Sequence, residues 1–298
     1  MIDLQYLSPE ERITDSLFDA KGITLHIKRD DLIHPFISGN KWRKLKYNLR
    51  KASTEHKNHL VTFGGAYSNH LLATACAAAK FGFKSTAIVR GEVVQNDTLT
   101  LCGLFGMKLI FIDRTSYRNK LEVFNQLFST DHDVFYIEEG GAGQEAVLGC
   151  AEVIDELNGT YDHVFCASGT GTTAAGILKG IQVRNLCSTL HAVSALKDGG
   201  FLKTVIEKYA NSPLFSLHTD YHFGGYAKTQ PDLLLFMKDF SAKTGILLDP
   251  VYTGKMLFAV YDLVRRDYFP PGSKILAIHT GGLLGLLGMT KKINQAIF

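Results

Sequence analysis

No apolar run in this sequence is long enough to span a bilayer, and no long basic block marks a nucleic-acid surface. The formal net charge is only +3 and is spread along 298 residues, which points to a protein that handles small molecules. Cysteine is scarce: Cys76, Cys102, Cys150, Cys166 and Cys187 are scattered, with no CxxC or Cys/His pair at metal-binding spacing. They read as reduced thiols of a cytosolic protein. There is no G-x-x-x-x-G-K-[ST] loop, no H-E-x-x-H zinc motif and no G-x-S-x-G nucleophile turn. Repeats and low-complexity tracts are absent. The opening MIDLQYLSPEER is acidic and broken by proline, so it reads as no signal peptide. What these absences leave is a cytoplasmic globular protein with a sizeable core and enough chain for two domains.

From about Asn58 onward, short β-type runs alternate with helical stretches, the signature of βαβ units and a parallel sheet. His59–Phe63, Ser85–Val89, Lys108–Ile112 and Val134–Ile137 read as strands, with helices expected over Ser68–Phe81, Gln95–Phe105 and Tyr117–Phe128. A helix over Gln144–Leu157 opens a second series. Its strands are Val164–Ala167, Leu190–Val193, Leu214–His218 and Lys274–His279, and its later helices are Gly200–Tyr209, Pro231–Thr244 and Gly254–Arg265. The chain divides into a small inserted α/β domain over 46–140 and a larger domain built from 1–45 and 141–298. Ligands of such sheets sit beyond the carboxyl ends of the strands.

The most informative segment is VFCASGTGTTAAGI, residues 164–177. A strand, a Ser/Gly/Thr turn and an Ala-rich helix start follow one another. The unpaired N–H groups and dipole of a helix N-terminus attract anions. Gly169, Thr170, Gly171, Thr172 and Thr173 therefore form a candidate phosphate cradle. The segment formally fits the dinucleotide pattern G-x-G-x-x-G/A, yet no acidic residue ends the following strand to hold a ribose. The threonines suit a phosphate monoester as well.

A second block, SGNKWRKL (38–45), precedes a helical run. Ser38 or Asn40 can cap that helix, which puts Lys41 in its first turn, where a cation is disfavoured. With Arg43 and Lys44 close by, the ammonium of Lys41 is destabilised and the free amine favoured, as a Schiff-base nucleophile requires. Taken alone, the block also reads as a solvated basic helix start with Trp42 as packing anchor. An amine beside a monophosphate cradle points to pyridoxal 5'-phosphate.

Taken together, the motifs resemble the 1-aminocyclopropane-1-carboxylate deaminase/D-cysteine desulfhydrase family of fold type II pyridoxal-phosphate enzymes. Its marks here are LHIKRDDL (25–32), SGNKWRKL (38–45), GGAYSNHLLATACAAAKFG (64–82), SGTGTTAAG (168–176), FGGYAK (223–228), DPVYTGKM (249–256) and HTGGLLG (279–285). The resemblance implies a two-domain α/β fold of open, twisted, mostly parallel sheets with helices on both faces, similar to the tryptophan synthase β chain. It implies that Lys41 is the Schiff-base lysine. Lys44, Asn69 and the turn Gly169–Thr173 would hold the cofactor, and Ser68, Asn69, His70, Tyr226 and Tyr252 would face a small amino-acid substrate. Ser68 is also a good N-cap by residue type, so the following N–H groups could hold a carboxylate. A homodimer is implied, with Phe201 or Phe215 available to an interface.

Ring-opening deaminases of the family carry a glutamate directly after the tyrosine of DPVY. This chain has Thr253 there, and Thr280 where those deaminases have an apolar residue. A hydroxyl beside the ring nitrogen makes a weaker electron sink than a carboxylate does. Such a sink suits β-elimination, in which the carbanion is soon relieved by loss of a leaving group. The expected reaction turns D-cysteine into pyruvate, ammonia and sulfide, with Lys41 removing the Cα proton. Cyclopropane deamination to α-ketobutyrate is the alternative, followed by a cofactor carrier without turnover and a nicotinamide-dependent oxidoreductase. Tyr67 stands where relatives commonly have glutamine, a departure that would reshape the pocket around Ser68.

Overall fold

A computed structural model describes residues 2–290 and 293–294. In chain order the elements are β1 (Glu10–Ile13), α1 (Ser16–Lys21), β2 (Thr24–Lys28), α2 (Asn40–Thr54), β3 (His59–Gly65), α3 (Asn69–Phe81), β4 (Lys84–Arg90), α4 (Asp97–Leu104), β5 (Lys108–Ile112), α5 (Lys120–Phe128) and β6 (Val134–Ile137). They continue as α6 (Gln144–Asp155), β7 (His163–Ser168), α7 (Thr172–Val183), β8 (Thr189–Ser194), α8 (Leu202–Tyr209), β9 (Phe215–His218), α9 (Pro231–Thr244), α10 (Thr253–Arg265) and β10 (Lys274–Ile278).

Two sheets result. One has six strands in the order β1-β2-β10-β7-β8-β9, and the other has four in the order β5-β4-β3-β6. Every pairing is parallel except β1 with β2. Parallel strands covered on both faces need apolar residues at successive positions. Val164–Cys166 and Ala87–Val89 meet that need and are buried throughout. One face of the larger sheet packs against α9 and α10 through Leu233, Phe240, Leu257 and Val260. The other face packs against α7 and α8 through Ile177, Leu178, Leu202 and Ile206.

The expected boundary at 45/46 falls within helix α2. Trp42, Leu45, Leu49 and Ala52 recur at helical spacing and are fully buried against Ala73, Ala77, Leu60 and Ile137 of the smaller layer. Each large apolar side chain so buried is worth roughly 1.5–3 kcal/mol. Trp42 is the packing anchor expected of it, stacked on Phe81 at 5.8 Å. The opposite side of α2 lies on α6, where a Cβ at Gly149 would stand 1.8 Å from the Arg43 carbonyl oxygen. Helix α7 approaches α6 in the same way, since a Cβ at Gly176 would stand 2.4 Å from the Cβ of Cys150. Close packing through these two glycines draws the N-termini of α2 and α7 together.

The eight strands foreseen in the sequence are present, four of them longer by two residues, two as expected and two shorter by one, and the helices over Tyr117–Phe128 and Gly200–Tyr209 each begin as a short 3-10 turn. Elements β1, α1 and β2 were not anticipated, because their runs are too short and polar to show a period. All five cysteines are free, and four are buried. Among the described residues no helix is long and apolar enough to cross a membrane. Phe201 is about half exposed, whereas Phe215 packs on the sheet.

Candidate active site

The loops that follow β3, β7 and β10 open onto one cleft of about 840 Å³. It lies at the carboxyl ends of these strands, where the topology of such sheets puts ligands. Lys41, Lys44, Ser68, Asn69, His70, Gly169, Thr170, Gly171, Thr173, Tyr226, Tyr252 and Thr280 all line it. Thr172 and Thr253 do not.

Lys41 is the second residue of α2. Neither Ser38 nor Asn40 caps this helix: the cap is Gly39, at φ +59°, with no side-chain hydrogen bond. The reason is space. A Cβ at Gly39 would stand 2.0 Å from the Thr280 carbonyl oxygen, because the loop after β10 lies directly on the start of α2. Asn40 has another task. Its side-chain carbonyl accepts from Lys41 Nζ at 2.9 Å, and its Nδ2 donates to Thr173 Oγ1 at 2.9 Å. One asparagine thus ties the amine to the phosphate cradle.

Lys44 Nζ donates to the Gly140 carbonyl at 3.2 Å. Neither lysine forms an ion pair among the described residues, and the contacts of both ammoniums are to amide oxygens. Burial, followed by the charge of Lys44, lowers the pKa of Lys41 to about 7. The expected help from Arg43 is absent. That guanidinium points away and is clamped by Asp30 at 2.6 and 2.7 Å and by Glu156 at 2.8 and 2.8 Å.

The turn after β7 has the shape expected of an anion cradle. Gly171 caps α7 at φ +80° without a side-chain bond, so the first-turn N–H groups of a twelve-residue helix are open to a ligand. Thr170 and Thr173 present their side chains to the cleft, while Thr172 is buried with its Oγ1 3.3 Å from that of Thr170. Ser168 Oγ, buried at the same wall, has no partner among the described residues.

Across the cleft, Ser68 caps α3 as foreseen, accepting from His70 N at 3.2 Å. His70 itself is turned inward. Its Nε2 meets Thr62 Oγ1 at 2.8 Å, and that hydroxyl donates to the Ile137 carbonyl at 2.7 Å. Nε2 therefore carries the hydrogen, and the buried Nδ1 is an acceptor with no partner among the described residues. Burial and then the charges of Lys41 and Lys44 hold the ring well below its ordinary pKa, so it is neutral. His70 lines the cleft as the sequence reading expects, with Nε2 engaged by Thr62.

Tyr226 and Tyr252 meet edge to face at 6.2 Å. Burial raises both phenols, that of Tyr252 well above its usual range. Thr280 is buried at the cleft wall. Thr253 is not available there. Its hydroxyl donates to Asp249 Oδ1 at 2.9 Å and accepts from Asp249 N at 2.9 Å. The Asp249 carboxylate also accepts from the N–H groups of Val251, Tyr252 and Thr253. It thereby caps α10 and fixes Tyr252, a role that reading DPVYTGKM for its tyrosine alone missed.

A family model for pyridoxal-phosphate-dependent enzymes matches residues 13–281. A putative 1-aminocyclopropane-1-carboxylate deaminase of Thermotoga maritima is 30% identical over 98% of this chain and 99% of its own length. The mitochondrial bifunctional D-cysteine desulfhydrase/1-aminocyclopropane-1-carboxylate deaminase of Arabidopsis thaliana is 30% identical over 89% of this chain and 74% of its own. The crystal structure of an ACC deaminase homologue superposes with a TM-score of 0.88 at 27% identity, covering 99% of this chain and 95% of that one. The chain belongs to the pyridoxal-phosphate-dependent enzymes of fold type II, in the 1-aminocyclopropane-1-carboxylate deaminase/D-cysteine desulfhydrase family. The cleft fits that cofactor. It offers an uncapped helix start and threonine side chains for a phosphate, an amine of lowered pKa for an aldehyde, and two partnerless buried polar atoms.

Proposed function

We propose that this chain catalyses β-elimination on a small amino acid, D-cysteine first among the candidates, releasing pyruvate, ammonia and sulfide. The bound cofactor supplies an aldehyde to hold the substrate amine and a ring to take up the carbanion's charge. Lys41, whose pKa burial lowers to about 7, is the acceptor of the Cα proton. The turn of Ser68 and Asn69 and the first N–H groups of α3 are the seat of the substrate carboxylate. Tyr226 and Tyr252 orient the leaving group and return a proton to it.

One observation carries the choice of reaction. At the wall where Thr280 stands the cleft offers a hydroxyl, and the nearby buried carboxylate, Asp249, is already taken up by the donors of the α10 turn. Asp249 is thereby withheld from a ring nitrogen, and the Thr280 hydroxyl is a weaker partner than a carboxylate, which favours a reaction with a prompt leaving group. Arg90, Glu92, Arg114 and Tyr67 also line the cleft and offer polar contacts to a substituent of the substrate.

The test is a panel of D- and L-amino acids offered to the cofactor-loaded protein with keto-acid and sulfide detection. Pyruvate and sulfide from D-cysteine are expected. Release of α-ketobutyrate from 1-aminocyclopropane-1-carboxylate at a higher kcat/KM would favour the deaminase reading, which the names of the relatives also support. No keto acid from any amino acid would end both.

A further inference from the structure

Lysine 255 occupies the first turn of α10, three residues after Tyr252, and only 1% of it is exposed. A cation is out of place at the positive end of a helix and more so in the interior. No carboxylate pairs with it among the described residues. Instead Nζ donates to three main-chain carbonyls: His222 at 2.8 Å, Gly225 at 2.8 Å and Ala195 at 3.4 Å. Burial lowers its pKa to about 8, with Asp249 opposing, so at neutral pH the group still has three hydrogens for three acceptors.

Two of those carbonyls belong to the segment that carries Tyr226. This segment is costly to hold: Phe223 and Ala227 sit at φ +51° and +52°, flanking Gly224 and Gly225 at φ +93° and +111°. Left-handed non-glycine residues are strained and persist only where the surroundings impose them. Within the turn, Gly225 N donates to the His222 carbonyl and Lys228 N to the Gly225 carbonyl. These are the same two carbonyls that the ammonium grips. The third, Ala195, precedes Leu196, another residue of the cleft wall.

We infer that Lys255 is a positioning residue for Tyr226: by holding the 222–225 turn against the start of α10, it sets that phenol beside Tyr252. The inference rests on the reading of Tyr226 as a residue that faces substrate. It does not depend on which amino acid is turned over.

The test uses cofactor-loaded wild type, Lys255→Met, Tyr226→Phe and the double variant. Amide hydrogen exchange over 222–228 is expected to quicken by about tenfold or more in Lys255→Met, with the cofactor's visible absorbance retained. The kcat/KM on the best amino acid of the panel should fall by about 10–100-fold, the scale of a displaced catalytic group. In the Tyr226→Phe background the same change should cost less than about twofold, since the two act as one unit. Unchanged exchange over 222–228, or losses that multiply in the double variant, would overturn the inference. Should Lys255→Met fail to fold, Lys255→Gln, a shorter side chain with two donors for three carbonyls, is expected to quicken the same exchange and is judged by it. If no amino acid is turned over, the exchange result still decides on Lys255 while the proposed reaction fails separately.

Discussion

The two faces of α2 near its start carry cations with opposite fates. On one, Arg43 is buried in a double clamp of Asp30 and Glu156, with Lys28 3.5 Å from the same glutamate and Tyr6 donating to it at 2.7 Å. On the other, Lys41 and Lys44 face a cleft and touch only amide oxygens. Two residues along the chain separate a charge that is held permanently from one that is readily given up. The difference lies in the partners. Carboxylates keep Arg43 ionised, whereas burial without a carboxylate prepares Lys41 to be an amine.

The largest effect is expected at Lys41. Lys41→Ala should lower keto-acid release by at least ~10³-fold and abolish the borohydride-fixed cofactor tag on its peptide. A tag on any other lysine would remove the basis for the contrast. Arg43→Ala takes the guanidinium from buried Asp30 and half-buried Glu156, leaving them Ser8, Tyr6 and Lys28, and should cost about 3–5 kcal/mol in urea unfolding. The reactivity of Lys41 in that variant should keep its midpoint near pH 7. A midpoint that climbs when Arg43 is lost would show that the two faces are electrostatically joined after all.

Acid probes the clamp from the other partner. Burial would raise Glu156, but the hydrogen bond and charge of Arg43 hold it down at about 2, below its ordinary 4.5. Its folded pKa is depressed, so its contribution is complete above pH 4.5 and drains away as pH falls towards 2. Urea midpoints measured between pH 5 and 2 should show that loss in wild type and a shallower one in Arg43→Ala. The smallest effect belongs to Lys44. Without its charge the Lys41 ammonium is easier to keep, so Lys44→Met should move the Lys41 midpoint upward. Reductive methylation of cofactor-free protein followed by mass spectrometry would read it, and an unmoved midpoint would leave burial as the sole cause.

These contrasts explain what could be read from the sequence and what could not. The strand-turn-helix order around Ser168–Thr173 and the position of Lys41 early in a helix are local properties, and local periodicity and turn chemistry expressed them. The partners of those residues are not local. Arg43 looked like a neighbour of Lys41 because the two are close in sequence, yet a helix sends residues two apart to different sides. Thr253 looked like a cofactor contact because it follows Tyr252, yet the carboxylate four residues before it claims its hydroxyl. Asn40 was read only as a possible helix cap and Lys255 was passed over, although both lie within quoted motifs. Their roles depend on Thr173 and on the carbonyls of residues 195, 222 and 225, which only the folded chain brings near.

The position of β10 has a consequence for biosynthesis. This strand lies between β2 and β7, although it is the last of the strands to leave the ribosome. Until residue 278 has emerged, β2 and β7 each present an unpaired flank, while the four strands drawn from 59–137 have long been available to pair. Premature termination anywhere before Lys274 would leave those flanks exposed to other chains, giving a product prone to aggregate rather than a smaller enzyme.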